Sequence, residues 1–363
     1  MECPQVDLET HKDFFARLRS RGQRFPLSGS FELTYRCNLG CMHCYLGAKR
    51  SQPPPQPELT TQEIFAILDQ LADAGTLWLL LTGGEPLLRP DFREIYAYAR
   101  HKGLILSLFT NGTLLTPPMA DFLAEWPPFN VEITLYGATQ ATYERVTGVP
   151  GSYVRCLRAI DLLLERGIPL RLKAMAMRST AAEIAAMREF SRSRGLAFKF
   201  DSLLWNDYEG GQISFAQRLQ PGEVVELDQA DPERLEEWRA FYRQQAGVAI
   251  RTDHLFTCGA GLFSYHIDPA GMLSICMAAR SWRYDLRQGT FLEGWQDFLP
   301  TVRFQPAGEH NQCNHCQLRP LCGQCPAFAA AETGDPDDRI PYLCEIGRLR
   351  AQAIGLTSTS VSC

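Results

Sequence analysis

Ten of the thirteen cysteines in this 363-residue chain fall into two dense groups near either end. The first group, Cys37-x3-Cys41-x2-Cys44, occupies one short loop and is followed by Tyr45. Three thiolates this close together can hold one face of a metal cluster while leaving one metal without a protein ligand. Structural zinc takes four closed ligands and iron–sulfur cubes normally take four cysteines, so a three-cysteine loop reads as an open coordination position for a substrate or cofactor. His43 is a further donor in the loop, but its place between two ligands points its side chain elsewhere. The second group is Cys258, Cys276, Cys313, Cys316, Cys322, Cys325 and Cys344. Pairs of the form Cys-x2-Cys also serve structural zinc, which is the competing reading for this region. Cys3, Cys156 and Cys363 stand alone and read as small buried hydrophobes or idle thiols.

The composition sets the frame for these groups. Lys and Arg number 36 against 41 Asp and Glu, a formal charge of −5, and 45% of residues are hydrophobic. Such a chain is globular. At this length it buries roughly three quarters of its unfolded surface, needs no disulfides, and is expected to divide into two or more domains. An odd cysteine count without a secretion signal fits a reducing cytosol, where clustered cysteines are metal ligands. No Lys/Arg run is long enough to track phosphates, so nucleic acid is not expected as a partner. Glu2, Asp7, Glu9 and Asp13 interrupt the first residues, and apolar runs such as Leu77 to Leu81 are far too short to span a bilayer. The expectation is a soluble cytoplasmic protein with no membrane association.

The elements that must position the first cysteines are legible as a βα alternation. Between residues 31 and 204 short apolar runs alternate six times with amphipathic stretches, the pattern of a parallel sheet covered by helices. The strands are predicted over Phe31–Tyr35, Leu77–Leu81, Leu104–Phe109, Val131–Leu135, Leu170–Met175 and Ala197–Leu203. Thr60 or Thr61 can cap a helix whose Ile64, Ile67, Leu68 and Leu71 share one face, with Gly75 ending it. Gly103, Gly167 and Gly195 end three more. Pro53 to Pro57 predicts an extended surface connection. From Trp205 to Thr257 a polar loop with Gly210 and Gly211 precedes a charged helix near Pro232 to Gln245, a bridge between domains. Beyond it regular periodicity fades, and seven cysteines supply what a small core cannot.

At this point a resemblance enters. Cys37-x3-Cys41-x2-Cys44 followed by Tyr45 resembles the signature loop of the radical S-adenosylmethionine (SAM) enzymes. Agreement comes from Leu81-Thr82-Gly83-Gly84-Glu85-Pro86, which looks like that family's glycine-rich loop, and from Thr110-Asn111-Gly112 closing the third strand. All fall at strand C-terminal ends, where barrel enzymes place their chemistry. The resemblance covers roughly residues 28 to 204 and implies an α/β fold, a partial (β/α)6 TIM-like barrel. It implies a [4Fe–4S] cluster on Cys37, Cys41 and Cys44 whose fourth iron chelates SAM and passes it one electron, giving methionine and a 5′-deoxyadenosyl radical that abstracts hydrogen. By position, Gly83, Gly84 and Glu85 would hold the methionine end, with Glu85 on the ammonium. Tyr45 would contact adenine, while Asn111, Thr134 and Arg145 match further cofactor-binding positions. Where many relatives carry an acidic residue in the fourth strand's stretch, this chain has Tyr136.

The second group is similar to the SPASM extension, a small cysteine-rich C-terminal iron–sulfur domain. The usual form has three rather than two residues between its last close pair, here Cys322 and Cys325. Carried over by position, Cys313, Cys316, Cys322 and Cys344 would close one auxiliary cluster and Cys258, Cys276 and Cys325 would hold a second, both expected as [4Fe–4S]. That second cluster is one ligand short, leaving either a group such as His266 or Asp268 to complete it or an open iron. The implied organisation is an N-terminal extension (1–27), the barrel (28–204), a bridge (205–257), the auxiliary-cluster domain (258–350) and a tail (351–363).

The resemblance also implies a substrate class, a ribosomally made peptide or protein that receives a crosslink, thioether or epimerisation. Relatives that mature sulfatases keep an acidic base shortly after the cysteine matching Cys276, where this chain has Met277-Ala278-Ala279-Arg280. About 25 residues before the first strand cannot build a winged-helix leader-binding domain. A separate leader-peptide-binding partner protein is therefore expected, besides an electron donor such as flavodoxin or ferredoxin. Asp201, Trp205, Asp207 and Tyr208 lie near the expected barrel mouth and are candidates for substrate contact, or simply a solvated loop. Two alternatives stand beside this reading: a SPASM-type dehydrogenase acting on a side-chain or small-molecule alcohol or thiol, and a zinc-stabilised binding protein without redox chemistry.

Overall fold

The computed structural model describes residues 24–47, 56–207, 211–246 and 253–356. Cys3, Cys363, Tyr208, Gly210 and residues 53–55 lie outside the described residues. Six parallel strands run in sequence order across one sheet: β1 (Ser28–Glu32), β2 (Trp78–Thr82), β3 (Ile105–Thr110), β4 (Asn130–Thr134), β5 (Leu170–Met175) and β6 (Ala197–Asp201). Each is followed by helix, which gives the partial TIM-like barrel expected. The sheet does not stop there. Next to β1 it continues into β7 (Ser264–Ile267), parallel, then β8 (Met272–Ser274) and β9 (Tyr284–Asp285), antiparallel. The cysteine-rich segment therefore begins by extending the barrel sheet rather than by standing apart from it.

The outer helices form for the reasons the sequence indicates. In α1 (Thr61–Asp73) Thr60 caps the first turn in a reciprocal box with Glu63, and Ile64, Ile67, Leu68 and Leu71 are buried against the sheet. Helices α2 (Phe92–His101), α3 (Pro117–Glu125), α4 (Gln140–Thr147), α5 (Ser152–Glu165) and α6 (Ile184–Arg192) complete the cover. Val131 and Ile133 of β4, Leu172 and Ala174 of β5, and Leu106 and Leu108 of β3 all face this outer core. Because side chains alternate along a strand, Glu132, Lys173, Ser107 and Phe109 must face the barrel interior.

Strand β1 ends earlier than its apolar run predicts. Beyond Glu32 the Tyr35 amide is taken by Glu58 Oε1 at 2.7 Å and the Thr34 hydroxyl by the same carboxylate at 2.8 Å, so the chain leaves the ladder. At β6 the Asp201 carboxylate accepts the Leu203 amide at 2.9 Å and closes a turn two residues before the predicted end.

The bridge is packed, not loose. Helices α7 (Pro221–Gln229) and α8 (Pro232–Ala246) lie against α10 (Pro341–Ala353), and Trp205 stacks 3.4 Å from Phe328 on α9 (Pro326–Thr333). Their hub is Asp228, 1% exposed, which accepts from Arg350 Nε at 2.8 Å and Arg234 Nε at 2.5 Å. Removing one member of a buried ion pair strands the other charge. Asp228→Ala is accordingly expected to lower stability by about 3–5 kcal/mol, read as a shifted urea midpoint of the full chain. Among the described residues no helix is long and apolar enough to cross a membrane.

Candidate functional site

The first cysteine group occupies the loop that leaves β1. Its backbone is held from the neighbouring α4 end, where Gly40 N donates to Thr147 O at 2.7 Å and Met42 N to Val146 O at 3.1 Å. The loop is thereby shaped by protein contacts. Cys37, Cys41 and Cys44 are free thiols at the C-terminal edge of the sheet. Burial pushes the Cys37 thiol up to about 11, opposed by the Leu39 amide and the Asn111 side chain. Asn111 ties the end of β3 to this loop: its Nδ2 donates to Asn38 Oδ1 at 3.0 Å and reaches Cys37 Sγ at 3.8 Å, while its Oδ1 accepts from Thr113. Tyr136 packs over the trio; its hydroxyl hydrogen-bonds Cys41 and its ring lies 5.5 Å from that of His43.

The glycine-rich segment after β2 meets the same loop from the other side. A Cβ on Gly83 would stand 2.4 Å from Thr34 O, and one on Gly84 would stand 2.3 Å from Arg36 O. Gly84 N donates to Thr34 O at 2.8 Å and Glu85 N to Arg36 O at 2.9 Å. Both glycines thus let two backbones run in contact just before Cys37.

Glu85, expected on the methionine ammonium, bonds through its own amide to Arg36 O beside the cluster loop. It is wholly buried, and its carboxylate accepts from Thr110 Oγ1 at 2.7 Å, Asn111 N at 2.8 Å and Leu87 N at 3.1 Å. Burial raises it to about 7 despite these bonds. Its carboxylate ties the end of β3, and with it Asn111, to the glycine-rich segment.

The remaining expected cofactor contacts are spread around the barrel rim. Thr134 ends β4 on the interior face. Arg145 is exposed on α4 and donates to Thr142 Oγ1 at 3.1 Å and Ser179 O at 3.3 Å. Tyr45 turns inward and donates to Glu32 Oε1 at 3.1 Å.

Inside the barrel lie charged residues that the sequence reading did not single out. Glu32, fully buried on β1, receives Arg280 Nη2 at 3.0 Å, with His266 Nε2 of β7 at 3.8 Å. Across the sheet, Glu132 of β4 is surrounded by Lys199 at 2.9 Å, Arg171 at 3.5 Å and Lys173 at 3.6 Å. The signal available was a charged residue at an alternate position of an otherwise apolar strand, the mark of an interior with a polar task.

His266 and Asp268, offered as completing ligands for an auxiliary cluster, are engaged elsewhere. His266 Nδ1 bonds Ser30 Oγ at 2.8 Å, and Asp268 accepts from Tyr35 OH at 2.8 Å and from the Ala270 and Met272 amides. Both belong to the barrel interior. Arg280, four residues after Cys276, points there as well.

The second cysteine group forms two neighbourhoods in space. Cys276 has Cys325 and Cys258 as its charged neighbours, whereas Cys313 has Cys322 and Cys344. The short spacing between Cys322 and Cys325 does not remove Cys325 from its set. Cys313, Cys316, Cys322 and Cys344 line one pocket together with Arg319 and Arg339. Half-buried Arg319 stands between the two sets, near Cys313 and Cys322 on one side and Cys258 and Cys325 on the other. Cys316 differs from the rest: its sulfur is in a disulfide, and a sulfur so bonded has no thiolate for iron until it is reduced.

The spacing of the donors discriminates between metals. Four sulfurs around one zinc stand about 3.8 Å apart. Among the described residues, only His310, Asp335 and Asp338 bring three donors of the Cys, His, Asp and Glu kind within 4.8 Å of one another. The cysteine sets are more open, as the edge of a cube requires, and the residues present fit an iron–sulfur cluster better than zinc.

Residues 31–190 match the profile of the Radical SAM superfamily. The chain is 28% identical over 345 residues to the AdoMet-dependent heme synthase of Methanosarcina barkeri, covering 86% of this chain and 95% of that protein. It is also 28% identical over 337 residues to the mycofactocin maturase MftC of Mycobacterium tuberculosis, covering 87% and 83%. In three dimensions it resembles Streptococcus suis SuiB bound to the precursor peptide SuiA, with TM-score 0.69 at 16% identity over 95% of this chain and 82% of that one. Residues 31–190, with their three-cysteine loop at the C-terminal edge of a six-stranded parallel partial barrel, are therefore a radical SAM domain, and this chain is an enzyme that carries it.

Proposed function

We propose that this enzyme is of the SPASM type and modifies a ribosomally made peptide or protein, installing a crosslink, thioether or epimerised centre. The observation that carries this reading is the clustering of the seven C-terminal cysteines into two sets, in a chain whose fold follows that of SuiB along 95% of its length. Relatives with MftC's name act as maturases, which supports the same class.

When bound together, a reduced [4Fe–4S] cluster and SAM supply one-electron cleavage of the sulfonium and a 5′-deoxyadenosyl radical that removes hydrogen from an unactivated C–H bond. The chain's own part is placement. Cys37, Cys41 and Cys44 would hold the cluster, and the Gly83–Gly84 backbone, pressed against residues 34–36, would offer its carbonyls to the methionine end. Asn111 fixes the Cys37 side of the loop, Thr134 and Arg145 bound the rim, and Tyr45 closes the interior from water. Cys313, Cys322, Cys344 and a reduced Cys316 hold one auxiliary cluster, and Cys258, Cys276 and Cys325 the second. Arg319 between them favours their reduced, more negative states. With His266 and Asp268 occupied, the second set keeps a coordination position for a non-cysteine group or a substrate atom. A separate protein presents the leader peptide, and flavodoxin or ferredoxin supplies electrons.

The second reading, a small-molecule substrate, is favoured by the heme synthase similarity, which runs along 95% of that protein at the same identity. Anaerobic reconstitution tests the shared chemistry: about twelve irons with matching sulfide per chain, and 5′-deoxyadenosine on adding dithionite and SAM. Colourless protein holding two or three zincs overturns it. Mass spectrometry of co-expressed candidate peptides then separates the readings. A loss of two hydrogens within a peptide supports the first, and unmodified peptides beside an oxidised small molecule support the second.

A further inference from the structure

The barrel interior holds an excess of positive charge that the chain itself does not neutralise. Lys173 of β5 and Lys199 of β6 are register partners, and Arg171 is the register partner of Glu132 on β4. These three cations surround the single carboxylate of Glu132, itself only 4% exposed. Its Oε2 is buried and accepts no hydrogen bond. Lys173 Nζ sits 3.2 Å from the centroid of the Phe109 ring, so one face of that ammonium meets an aromatic surface instead of an anion. Neither is the cluster sealed: the side chains of Lys173, Arg171 and Lys199 are 23%, 28% and 50% exposed. On the opposite wall Glu32 pairs with Arg280, and the buried Asp268 carboxylate is taken up by Tyr35 OH and two backbone amides. In a chain of net charge −5, an interior whose surplus is positive concentrates anions.

We infer that Lys173 and Lys199, aided by Arg171, form a carboxylate-binding subsite beside Phe109, which takes an acidic end of the substrate. The inference deepens the substrate assignment above and rests on it. A carboxylate there would bridge the two ammonium groups while its carbon chain packs on the Phe109 ring. Two sources share this chemistry, the substrate and the methionine carboxylate of SAM, because Lys173 is also the register partner of Thr134. The Lys173 ammonium is faced by Glu132 from β4, Lys199 from β6 and the Phe109 ring from β3, with Arg171 on its own strand. Burial lowers it to about 7, Lys199 lowering it further and Glu132 opposing. An anion that needs this proton binds best below that pH.

The experiment uses the full chain with its clusters reconstituted anaerobically and follows radiolabelled glutarate, then SAM, by equilibrium dialysis, with neutral glutaramide as competitor. Glutarate is expected to bind and glutaramide to leave it undisturbed. Joint Lys173→Met and Lys199→Met is expected to weaken glutarate roughly tenfold or more, with SAM binding within about twofold of wild type. Glu132→Gln removes the internal competitor and is expected to tighten glutarate by roughly threefold, a gain that a purely structural ion pair does not give. Raising the pH from about 6 to about 8.5 weakens glutarate in the wild type, and that dependence is lost in Lys173→Met. Glutarate binding that ignores all three substitutions overturns the inference. So does a double variant that loses SAM in a chain whose wild type ignores glutarate, which assigns the cations to the cofactor. A wild-type chain that takes up no SAM at all contradicts the proposed function instead, and leaves the glutarate result to be read on its own.

Discussion

Joint substitution Cys37→Ala, Cys41→Ala and Cys44→Ala is expected to abolish 5′-deoxyadenosine formation and to remove about four irons per chain, leaving about eight in place. The loop's course depends on Gly40 and Met42 bonding to Thr147 and Val146, and on Asn38 bonding to Thr113, none of which involves a cysteine sulfur. The variant should therefore fold, with a melting temperature close to that of the parent, and the loss should be chemical rather than structural. The two C-terminal sets sit behind their own scaffold, the Asp228 hub and the Arg218 pairing with Glu332 at 2.7 Å, so their iron should stay. Iron and sulfide analysis beside deoxyadenosine quantified by chromatography checks both halves. Unchanged deoxyadenosine would remove the trio from the chemistry altogether. Loss of all iron would show that the three sets assemble as one unit.

The parts of this enzyme that the sequence reveals are those governed by local rules. The six βα units follow from alternating periodicities, and the face of α1 follows from Ile64, Ile67, Leu68 and Leu71. The cysteine sets follow from spacing, because ligands to one cluster must be near one another in space. The strand β7 was missed because a four-residue element with Ser264 and His266 on one face has no apolar run to announce it. It is held in place by pairing with β1, more than 200 residues away in the chain. The charged interior escaped for a related reason. Glu32, Glu132, Lys173 and Arg280 come together only when the barrel closes, and each taken singly reads as a solvated surface charge. Glu85 adds a further case: its carboxylate bonds to Thr110, Asn111 and Leu87, neighbours that sequence spacing does not reveal.

That lesson makes Gly84 the most informative single position in the motif. Gly84→Ala adds one methyl group, yet its Cβ would meet Arg36 O at 2.3 Å and Tyr35 O at 2.5 Å. Both are backbone atoms, so no rotamer relieves the contact. Relief requires separating the two segments, which breaks the bonds from Gly84 N to Thr34 O and from Glu85 N to Arg36 O. The displaced Arg36 carbonyl lies one residue before Cys37, so the shift passes directly to the cluster loop. A displacement near 1 Å at a reacting centre costs about a hundredfold in rate. Deoxyadenosine formation by Gly84→Ala is expected to fall by about that factor or more, with weaker SAM binding in equilibrium dialysis. Gly103→Ala is the control. Unlike Gly84 it lies at positive φ, +84°, and a Cβ there meets nothing within 4 Å. It is expected to cost about 1–2 kcal/mol of stability from the left-handed backbone and to leave the rate intact. Equal loss of rate in both variants would mean that the Gly84 effect does not come from its contact with Tyr35 and Arg36, while a wild-type rate in Gly84→Ala would detach the glycine-rich loop from the cluster loop it touches.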